Sequence, residues 1–390
     1  EEYYQRAQAL TSRVSTSDST TCAVHGGHGY CWGDNGYGQV GDNDTADVMN
    51  PYELPLTDVT DITTSTWTTC AIAGGHGYCW GYNGDGQVGN GDSTDVHTPY
   101  QLPLTDVTDV TTHGAVTCAV AGGHGYCWGH NNYGQVGNGA PRIDVHTPYQ
   151  LPLTDVTDIT TDGSTTCAVA GGHGYCWGYN HEGQVGNNDT AGVDTPYQLS
   201  LTGVTDITNN QRTTCAVAGG YGYCWGHNDA GQVGNGAPGI DVHTPHQLPQ
   251  PDVTDITTDG YTTCAIAGGH GYCWGYNGYG QVGNGTITDM PSPYPLPLTH
   301  VTGVTTDYGT TCTISDRDAY CWGRNDRGQA GPGAGLEPGT PLLSNVAHIT
   351  INDATTCAVV GVHGYCWGAN DAGQVGDGTA TDASSPVQVW

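Results

Sequence analysis

Short apolar and β-branched runs alternate with polar turn residues along almost the whole chain. One copy of the pattern contains four such runs: TDVTDITT (57–64), TTCAIA (68–73), HGYCWG (76–81) and TPYQLPL (98–104). Runs of this length, bounded by Gly, Asn, Asp and Pro, predict β-strands. The repeated part shows no 3.6-residue periodicity typical of an amphipathic helix. We therefore expect an all-β protein whose repeating unit has four strands.

The pattern recurs eight times. The tripeptide Cys-Trp-Gly returns every 45 to 49 residues, at Cys31, Cys79, Cys127, Cys176, Cys224, Cys273, Cys321 and Cys366. Eight four-stranded units predict a β-propeller, because radial closure hides the edges of the sheets. We expect eight blades. Seven blades plus an extra unit, or a linear β-solenoid, are the alternatives.

The repeats divide the chain into one domain and a short leading segment. The eight units cover about residues 10–56, 57–104, 105–153, 154–201, 202–250, 251–298, 299–343 and 344–390. Residues 10–390 are thus predicted to form a single propeller, and residues 1–9 lie outside the repeats. The N-terminal sequence EEYYQRAQAL is expected to be weakly helical and amphipathic and to pack on a partner. We interpret Glu1 as a processed or truncated start.

Each Cys of the tripeptide follows another Cys by nine residues. A Gly-Gly pair such as Gly26-Gly27 lies midway, and it suits a two-residue hairpin turn because Gly tolerates positive φ. Cys22 then faces Cys31 at a non-hydrogen-bonded site, where opposed Cα atoms lie about 4.5 Å apart, a separation that permits a disulfide. The predicted disulfides, one per blade, are Cys22–Cys31, Cys70–Cys79, Cys118–Cys127, Cys167–Cys176, Cys215–Cys224, Cys264–Cys273, Cys312–Cys321 and Cys357–Cys366.

These disulfides bear on environment and on metal binding. Sixteen cysteines with one consistent pairing predict an oxidising compartment, so we expect a secreted, extracellular protein. The spacing differs from the close Cys pairs of zinc sites, and we predict no metal bound through Cys.

Alternation along the paired strands predicts how the blades pack. Cys22 and Val24 point to one face of the sheet, and Ala23 and Trp32 point to the other. Both faces are apolar, as expected for a strand covered on both sides. Each blade is therefore predicted to lie between two others.

The charge excludes several classes of partner. The formal net charge is −31, and the chain has seven Arg and no Lys. Nucleic acid and anionic membranes require a basic surface, so neither is an expected partner. The chain has no apolar run of the length that a membrane span needs, so we expect no membrane insertion. Cations and basic proteins fit this charge better.

The segment after the tripeptide identifies a family. The stretch Cys-Trp-Gly-Tyr-Asn-Gly-Asp-Gly-Gln-Val-Gly (79–89) resembles the W-G-x-N-x-x-G-Q-L-G core of the regulator of chromosome condensation repeat, and all eight units match it. The resemblance implies a propeller, usually with seven blades, and the Cys-Trp-Gly form resembles a secreted branch of the family. Its members include a nucleotide-exchange factor, a photoreceptor and β-lactamase inhibitors, so the fold does not by itself choose a function.

Three sets of repeated residues are candidate sites. An Asp nine residues before the first Cys of a unit would line the central channel and is a weak candidate for Ca²⁺ binding: Asp61, Asp109, Asp158, Asp206 and Asp255. A ring of His flanks the hairpin turns and is expected to be solvated: His28, His76, His124, His173, His270 and His363. Candidate N-glycosylation sites, all in one loop of the unit, are Asn43, Asn188 and Asn284.

The seventh unit departs most from the others. It contains Arg317, Arg324 and Arg327, which we interpret as a basic island and a candidate interface with the acidic rim of a neighbouring copy.

No catalytic motif is present in the sequence, and an active site needs one asymmetric set of groups. We therefore expect a non-enzymatic structural or scaffold protein without a cofactor. Its expected role is that of a subunit in an extracellular filament or surface assembly, with a second copy of itself as the partner. The alternative is a module or inhibitor that binds an extracellular protein or glycan through one propeller face. An enzyme with a site at the channel mouth is a third hypothesis.

Overall fold

A computed structural model describes residues 13–140 and 142–390. The N-terminal segment predicted to be helical therefore lies outside the described residues. The described part contains eight four-stranded antiparallel sheets, each built from one sequence unit with its strands in chain order. It contains no helix, and so no helix long and apolar enough to cross a membrane. The prediction of an eight-bladed β-propeller is confirmed.

The strands of the first four blades have the following bounds. Blade 1 contains β1 (Arg13–Thr16), β2 (Thr20–His25), β3 (His28–Gly33) and β4 (Val48–Thr57). Blade 2 contains β5 (Val59–Thr64), β6 (Thr68–Ala73), β7 (His76–Gly81) and β8 (Val96–Thr105). Blade 3 contains β9 (Val107–His113), β10 (Val116–Ala121), β11 (His124–Gly129) and β12 (Val145–Thr154). Blade 4 contains β13 (Val156–Thr161), β14 (Thr165–Ala170), β15 (His173–Gly178) and β16 (Val193–Thr202).

The remaining blades follow the same order. Blade 5 contains β17 (Val204–Asn210), β18 (Thr213–Ala218), β19 (Tyr221–Gly226) and β20 (Val242–Pro251). Blade 6 contains β21 (Val253–Thr258), β22 (Thr262–Ala267), β23 (His270–Gly275) and β24 (Met290–Thr299). Blade 7 contains β25 (Val301–Asp307), β26 (Thr310–Ser315), β27 (Asp318–Gly323) and the short β28 (Leu343–Ser344). Blade 8 contains β29 (Val346–Asn352), β30 (Thr355–Val360), β31 (His363–Gly368) and β32 (Ala383–Gln388).

The predicted first strand begins two residues too early. Thr57 ends β4, and Asp58 forms the turn to the next blade with a φ of 56°. Asp tolerates this left-handed conformation better than most residues, so the turn interrupts the run TDVTDITT. Blades 2 to 8 therefore each start at the Val that follows this turn.

The hairpin between the second and third strands has the predicted register. Cys22 faces Cys31 and His25 faces His28, and the Cα atoms of all eight disulfide pairs are 4.1 Å apart. Gly26 and Gly27 have φ values of 60° and 81°, as a mirror-image turn requires. In blade 7 the same turn places Asp316 and Arg317 at positive φ, a conformation that costs these residues more than Gly.

The core lies between successive blades. One cluster joins Cys22, Val24 and Leu54 of blade 1 to Ala71 and Trp80 of blade 2. The opposite face of blade 1 places Ala23 and Trp32 against Cys357 and Val359 of blade 8. The two-faced packing predicted from alternation is confirmed, and it closes the ring without exchange of strands between the first and last blades.

Candidate functional site

The repeated Gln joins each blade to the next. The main-chain oxygen of Gln39 accepts hydrogen bonds from the Thr69 hydroxyl (2.8 Å) and the Trp80 indole nitrogen (2.9 Å) of blade 2. The ring closes in the same way, because the Gln374 oxygen accepts from Thr21 and Trp32. The joint between blades 7 and 8 differs: Thr356 donates to Gln329, but the Trp367 indole nitrogen has no partner.

The repeated Asn holds the long loop between the third and fourth strands. The Asn83 side-chain nitrogen donates to the side chain of Asn90 and to the main-chain oxygens of Asp92 and Thr94, and its oxygen accepts from the Val88 amide. Equivalent bonds are made by Asn35, Asn131, Asn180, Asn228, Asn277 and Asn370. These buried residues fix the framework and are already engaged, so a ligand must bind elsewhere.

The propeller has two unlike faces. The hairpin face carries the turns between second and third strands, such as Gly74-Gly75, and the turns from one blade to the next, such as Asp106. The loop face carries the turns between first and second strands and the long loops. Thr68 pairs with Gly81 at this end of blade 2, which places both loop-face segments side by side.

Three positions in each unit, which we call the variable positions, differ strongly among the eight copies and all lie on the loop face. The first position lies three residues before the first Cys of the disulfide. The second and third positions lie three and six residues after the second Cys. Unit 2 has Trp67, Tyr82 and Asp85 there, whereas unit 8 has Ala354, Ala369 and Ala372. The Cys, Trp, Asn and Gln residues around them are the same in every unit.

Variable positions of adjacent blades meet at the joints. Tyr37 of blade 1 contacts Trp67 and Tyr82 of blade 2, with ring centroids 6.0 Å and 5.1 Å away in edge-to-face geometry. Tyr133 of blade 3 contacts Tyr179 of blade 4 at 5.1 Å. Exposed aromatic rings are common at binding surfaces, because they present apolar area at little entropic cost.

Two joints contain an Arg of this chain. Arg212 lies over the Tyr179 ring, 5.7 Å from its centroid, and pairs with Glu182 at 3.0 Å. Arg324 lies over Tyr279 at 5.5 Å and over Tyr308 at 4.7 Å. Both guanidinium groups are thus placed against tyrosine rings, where the negative face of the ring attracts a cation.

A cleft of about 500 Å³ opens on the loop face across blades 5 to 7. Its aromatic lining consists of Tyr261, Tyr276, Tyr279 and Tyr308, and its acidic lining consists of Asp229, Asp259 and Asp289. Asp259 is buried and accepts hydrogen bonds from the amides of Tyr261 and Thr262, and burial raises its pKa. Among the residues that line the cleft there is no Arg.

The central channel contains the predicted Asp ring. Asp61, Asp109, Asp158, Asp206 and Asp255 all line one cavity of about 470 Å³. Burial, together with neighbouring carboxylates of the ring, raises the pKa values of Asp109, Asp158 and Asp206 to about 6. Main-chain amides already donate to these carboxylates, for example Val110 and Ile159 to Asp109. Arg13 pairs with Asp61 at 3.2 Å.

A further acidic group lies where the channel opens on the loop face. Asp307 and Asp353 line a cavity of about 410 Å³ there together with Asp18. Burial and the carboxylates of Asp259 and Asp353 raise the pKa of Asp307 to about 8. The Asp353 amide donates a hydrogen bond to it.

Residues 74–120 and 122–169 match the regulator of chromosome condensation (RCC1) repeat. The RCC1-type repeat predicted from the sequence is therefore confirmed in this part of the chain. No curated protein matches the sequence at a significant level. Among solved structures, human WBSCR16 is similar with a TM-score of 0.66 and 18% identity, over 93% of this chain and 94% of that one.

Two structures of yeast RCC1 (Prp20) are also similar. The structure with Kap60 bound has a TM-score of 0.63 and 17% identity, over 100% of this chain and 86% of that one. The Saccharomyces cerevisiae Prp20p structure has a TM-score of 0.64 and 16% identity, over 100% of this chain and 89% of that one. At these identities the likeness shows the fold alone.

The RCC1-repeat propeller does not bring the three Arg of unit 7 together. Arg317 lies in the turn that precedes β27, and Arg324 and Arg327 follow the far end of that strand. A six-residue strand is about 20 Å long, so the predicted single basic island is wrong. Arg327 pairs with Asp371 and Asp382 within the chain. The role of these Arg in an interface stays a prediction.

The predicted His and Asn residues lie on opposite faces of the propeller. The His ring lies on the hairpin face, where His28 pairs with Glu53 at 3.0 Å. Asn43 and Asn188 are exposed in the long loops of the loop face, and Asn284 is half-buried because its side-chain oxygen holds Asn277 and Thr286. Glycosylation of these residues and Ca²⁺ binding by the Asp ring remain predictions.

Sequence reasoning missed two groups with metal-ligand chemistry on the loop face. They are His130 with Asp85 and Asp144, and His227 with Asp229 and Asp241. A signal was available, because only units 3 and 5 have His after Cys-Trp-Gly, and both share the loop Gly-Asn-Gly-Ala-Pro-x-Ile-Asp-Val.

Hydrogen bonds argue against a metal at the second group. The Gln232 side-chain oxygen accepts from the Ala230 amide, so the Gln232 side-chain nitrogen faces His227 Nδ1 and must donate to it. The ring proton then lies on Nε2, which faces Asp229 at 3.1 Å. A ligand nitrogen has to be free of its proton, so His227 is arranged as a donor to Asp229.

Proposed function

We propose that this protein is a secreted, non-catalytic binding module that holds a partner protein on its loop face. The observation that carries the proposal is the position of the differences among the repeats. The framework residues recur in all eight units, whereas the variable positions change and meet at the blade joints of one face. A surface that differs from joint to joint presents one asymmetric pattern, which recognition of a specific partner requires.

The hairpin face is a poorer candidate. Six of its eight turns are Gly-Gly, and six of the flanking residues are His. The same chemistry is therefore repeated around the ring, and Gly contributes no side chain to a contact. A partner placed there would have little to fix its rotation about the channel axis.

The relatives support a role in protein binding. One solved structure is of yeast RCC1 with Kap60 bound, and the other concerns the binding of Prp20p to Gsp1p and histones. From these two structures we infer only that a propeller of this type can serve as a protein-binding surface. The eight disulfides indicate an oxidising environment, which supports an extracellular partner.

A structural subunit of an extracellular assembly is the second candidate, and the closed, disulfide-bonded ring favours it. Pairing between the outer strands of two copies is disfavoured, because β4 contains Pro51 and Pro55 and β8 contains Pro99 and Pro103. Proline and register shifts at an edge strand block edge-to-edge pairing. Assembly would therefore have to use the faces of the propeller.

The test compares two triple variants as immobilised baits. The loop-face variant carries Trp67→Ala, Tyr133→Ala and Tyr261→Ala, and the hairpin-face variant carries His76→Ala, His173→Ala and His270→Ala. Each bait is incubated with medium from the source organism, cross-linked and analysed by mass spectrometry. We expect wild type and the hairpin-face variant to capture the same protein, with cross-links on the loop face, and the loop-face variant to lose at least nine-tenths of it.

Two results would contradict the proposal. Equal capture by all three baits would show that the loop face is not used. Capture of this chain alone, together with rings or filaments in electron micrographs, would favour the structural candidate instead.

A further inference from the structure

Two arginines of this chain show that the loop-face tyrosines contact guanidinium groups. The Arg324 guanidinium lies over the Tyr308 ring at 4.7 Å and the Tyr279 ring at 5.5 Å, and it pairs with Asp326 at 2.8 Å. Arg212 repeats the arrangement with Tyr179 and Glu182. In each place one guanidinium contacts one carboxylate and at least one tyrosine ring, which is a single ring for Arg212 and two rings for Arg324.

The cleft across blades 5 to 7 offers the same groups with no cation among its lining residues. Tyr261 and Tyr276 line this cleft together with Tyr279 and Tyr308, and the ring centroids of Tyr276 and Tyr279 are 6.3 Å apart. Tyr261 and Tyr276 are 46% and 37% exposed, so their rings are accessible to a ligand, whereas Arg324 covers the rings of Tyr279 and Tyr308. The free volume of about 500 Å³ is large enough for an arginine side chain and part of its main chain.

A carboxylate at the cleft is also accessible. The Asp229 side chain is 75% exposed, and its partner His227 is also hydrogen-bonded to Gln232. Asp229 therefore presents its carboxyl group to solvent. The formal net charge of −31 adds a long-range attraction for a basic ligand.

We propose that this cleft binds an arginine side chain from a basic segment of the partner protein. The inference rests on the proposed function and adds the chemistry that the loop face recognises. The guanidinium lies on the rings of Tyr261 and Tyr276 and pairs with Asp229, as Arg324 does with its own rings and carboxylate. Planar guanidinium stacks on aromatic rings better than ammonium, so arginine is preferred over lysine.

The test uses the full chain and three fluorescein-labelled peptides of sequence acetyl-Gly-X-Gly-X-Gly-X-Gly-amide, where X is arginine, lysine or citrulline. Citrulline has nearly the same shape as arginine but no charge. In 150 mM NaCl, fluorescence anisotropy should show binding of the arginine peptide, threefold or more weaker binding of the lysine peptide, and at least tenfold weaker binding of the citrulline peptide. Equal binding of the arginine and citrulline peptides would overturn the proposal.

Variants locate the site. Tyr261→Ala and Asp229→Asn should each weaken binding of the arginine peptide about fivefold, whereas Tyr149→Ala, an exposed tyrosine on the outer strand β12, should change it less than twofold. Unchanged binding by Tyr261→Ala and Asp229→Asn would show that the attraction is only long-range charge. The thermal midpoint of each variant confirms that it is folded.

A gain-of-binding variant tests the comparison with Arg324. Arg324→Ala frees the rings of Tyr279 and Tyr308 and removes a competing positive charge, so the arginine peptide should bind threefold or more tightly. Weaker binding would show that these rings do not accept the ligand.

The two proposals can fail separately. If the loop-face variant loses the captured protein but the arginine peptide does not bind, the ligand chemistry is wrong and the binding face is right. Binding of a neutral sugar such as cellohexaose or hexa-N-acetylchitohexaose, without binding of the arginine peptide, would reassign the cleft to glycans.

Discussion

The indole nitrogen of Trp177 donates a hydrogen bond to the main-chain oxygen of Gln135 at 2.9 Å, and this bond joins blade 4 to blade 3. The same oxygen accepts from the Thr166 hydroxyl at 2.8 Å. Both donors belong to blade 4 and the acceptor belongs to blade 3, so these two buried hydrogen bonds hold the two blades together. Six other joints have both donors, and the joint between blades 7 and 8 has only the threonine.

We expect Trp177→Phe to destabilise the protein more than Trp367→Phe. Both tryptophans are fully buried, so both changes remove the same volume. Only Trp177 loses a hydrogen bond, which contributes about 1 kcal/mol. The free energies of unfolding in guanidinium chloride, measured without reductant, should therefore differ by about that amount. Equal values would mean that the bond does not stabilise the joint.

Gly137→Ala should be far more damaging than Gly123→Ala. The two residues have nearly the same φ, 81° and 78°, so Ala is strained by about 1–2 kcal/mol at either position. A Cβ at residue 137 would lie 2.7 Å from the Trp177 indole nitrogen, whereas a Cβ at residue 123 meets nothing within 4 Å. We expect Gly123→Ala to fold with a modestly lower thermal midpoint. Gly137→Ala should in addition increase hydrogen exchange of the amides in β14 and β15, and similar exchange in both variants would contradict this account.

Removal of one disulfide should destabilise the protein without unfolding it. The double substitution Cys167→Ala and Cys176→Ala opens a loop of about ten residues, for which chain entropy predicts a loss of about 2–3 kcal/mol. Guanidinium chloride unfolding measures this loss. Mass spectrometry of unreduced peptides from wild type should give eight links, each joining cysteines nine residues apart. Free thiols, or links between different blades, would contradict the structure.

The channel carboxylates should make stability fall as the pH rises from about 4 to about 6. Burial and the neighbouring Asp109 raise the pKa of Asp158 to about 6, from 3.8 in the absence of these effects. Between these values the folded protein holds the proton and the unfolded chain does not, so a rise in pH favours unfolding; above about pH 6 the difference is constant.

Asp158→Asn removes this titration. We expect a free energy of unfolding at pH 7 that is higher by up to about 3 kcal/mol, and a weaker dependence on pH between 4 and 6. The control is Asp155→Asn, an exposed residue in the turn that precedes the same strand, which should change stability by less than about 0.5 kcal/mol. A decrease in stability for Asp158→Asn at pH 7 would show that the carboxylate is held by a favourable partner such as a cation.

Much of the fold follows from local chemistry that the sequence displays directly. The pair Gly26-Gly27 requires positive φ, and the alternation of side chains along a strand then places Cys22 opposite Cys31 in only one register. Because these effects depend on neighbours within a few residues, strands, turns and disulfides were predicted together. The start of β5 was misplaced because Asp58 adopts a left-handed conformation, which its residue type permits but does not require.

The sequence by itself determined the repeat, the hairpin register, the eight disulfides and the ring of channel carboxylates. Only the tertiary structure decided which residues of different units meet: Tyr37 with Trp67, Glu182 with Arg212, and Arg324 with Tyr279. These contacts join residues about 30 or more positions apart, and they depend on the angle between neighbouring blades. That angle is set by the packing of the whole closed ring, so the cleft across blades 5 to 7 could not be derived from the pattern of any one unit.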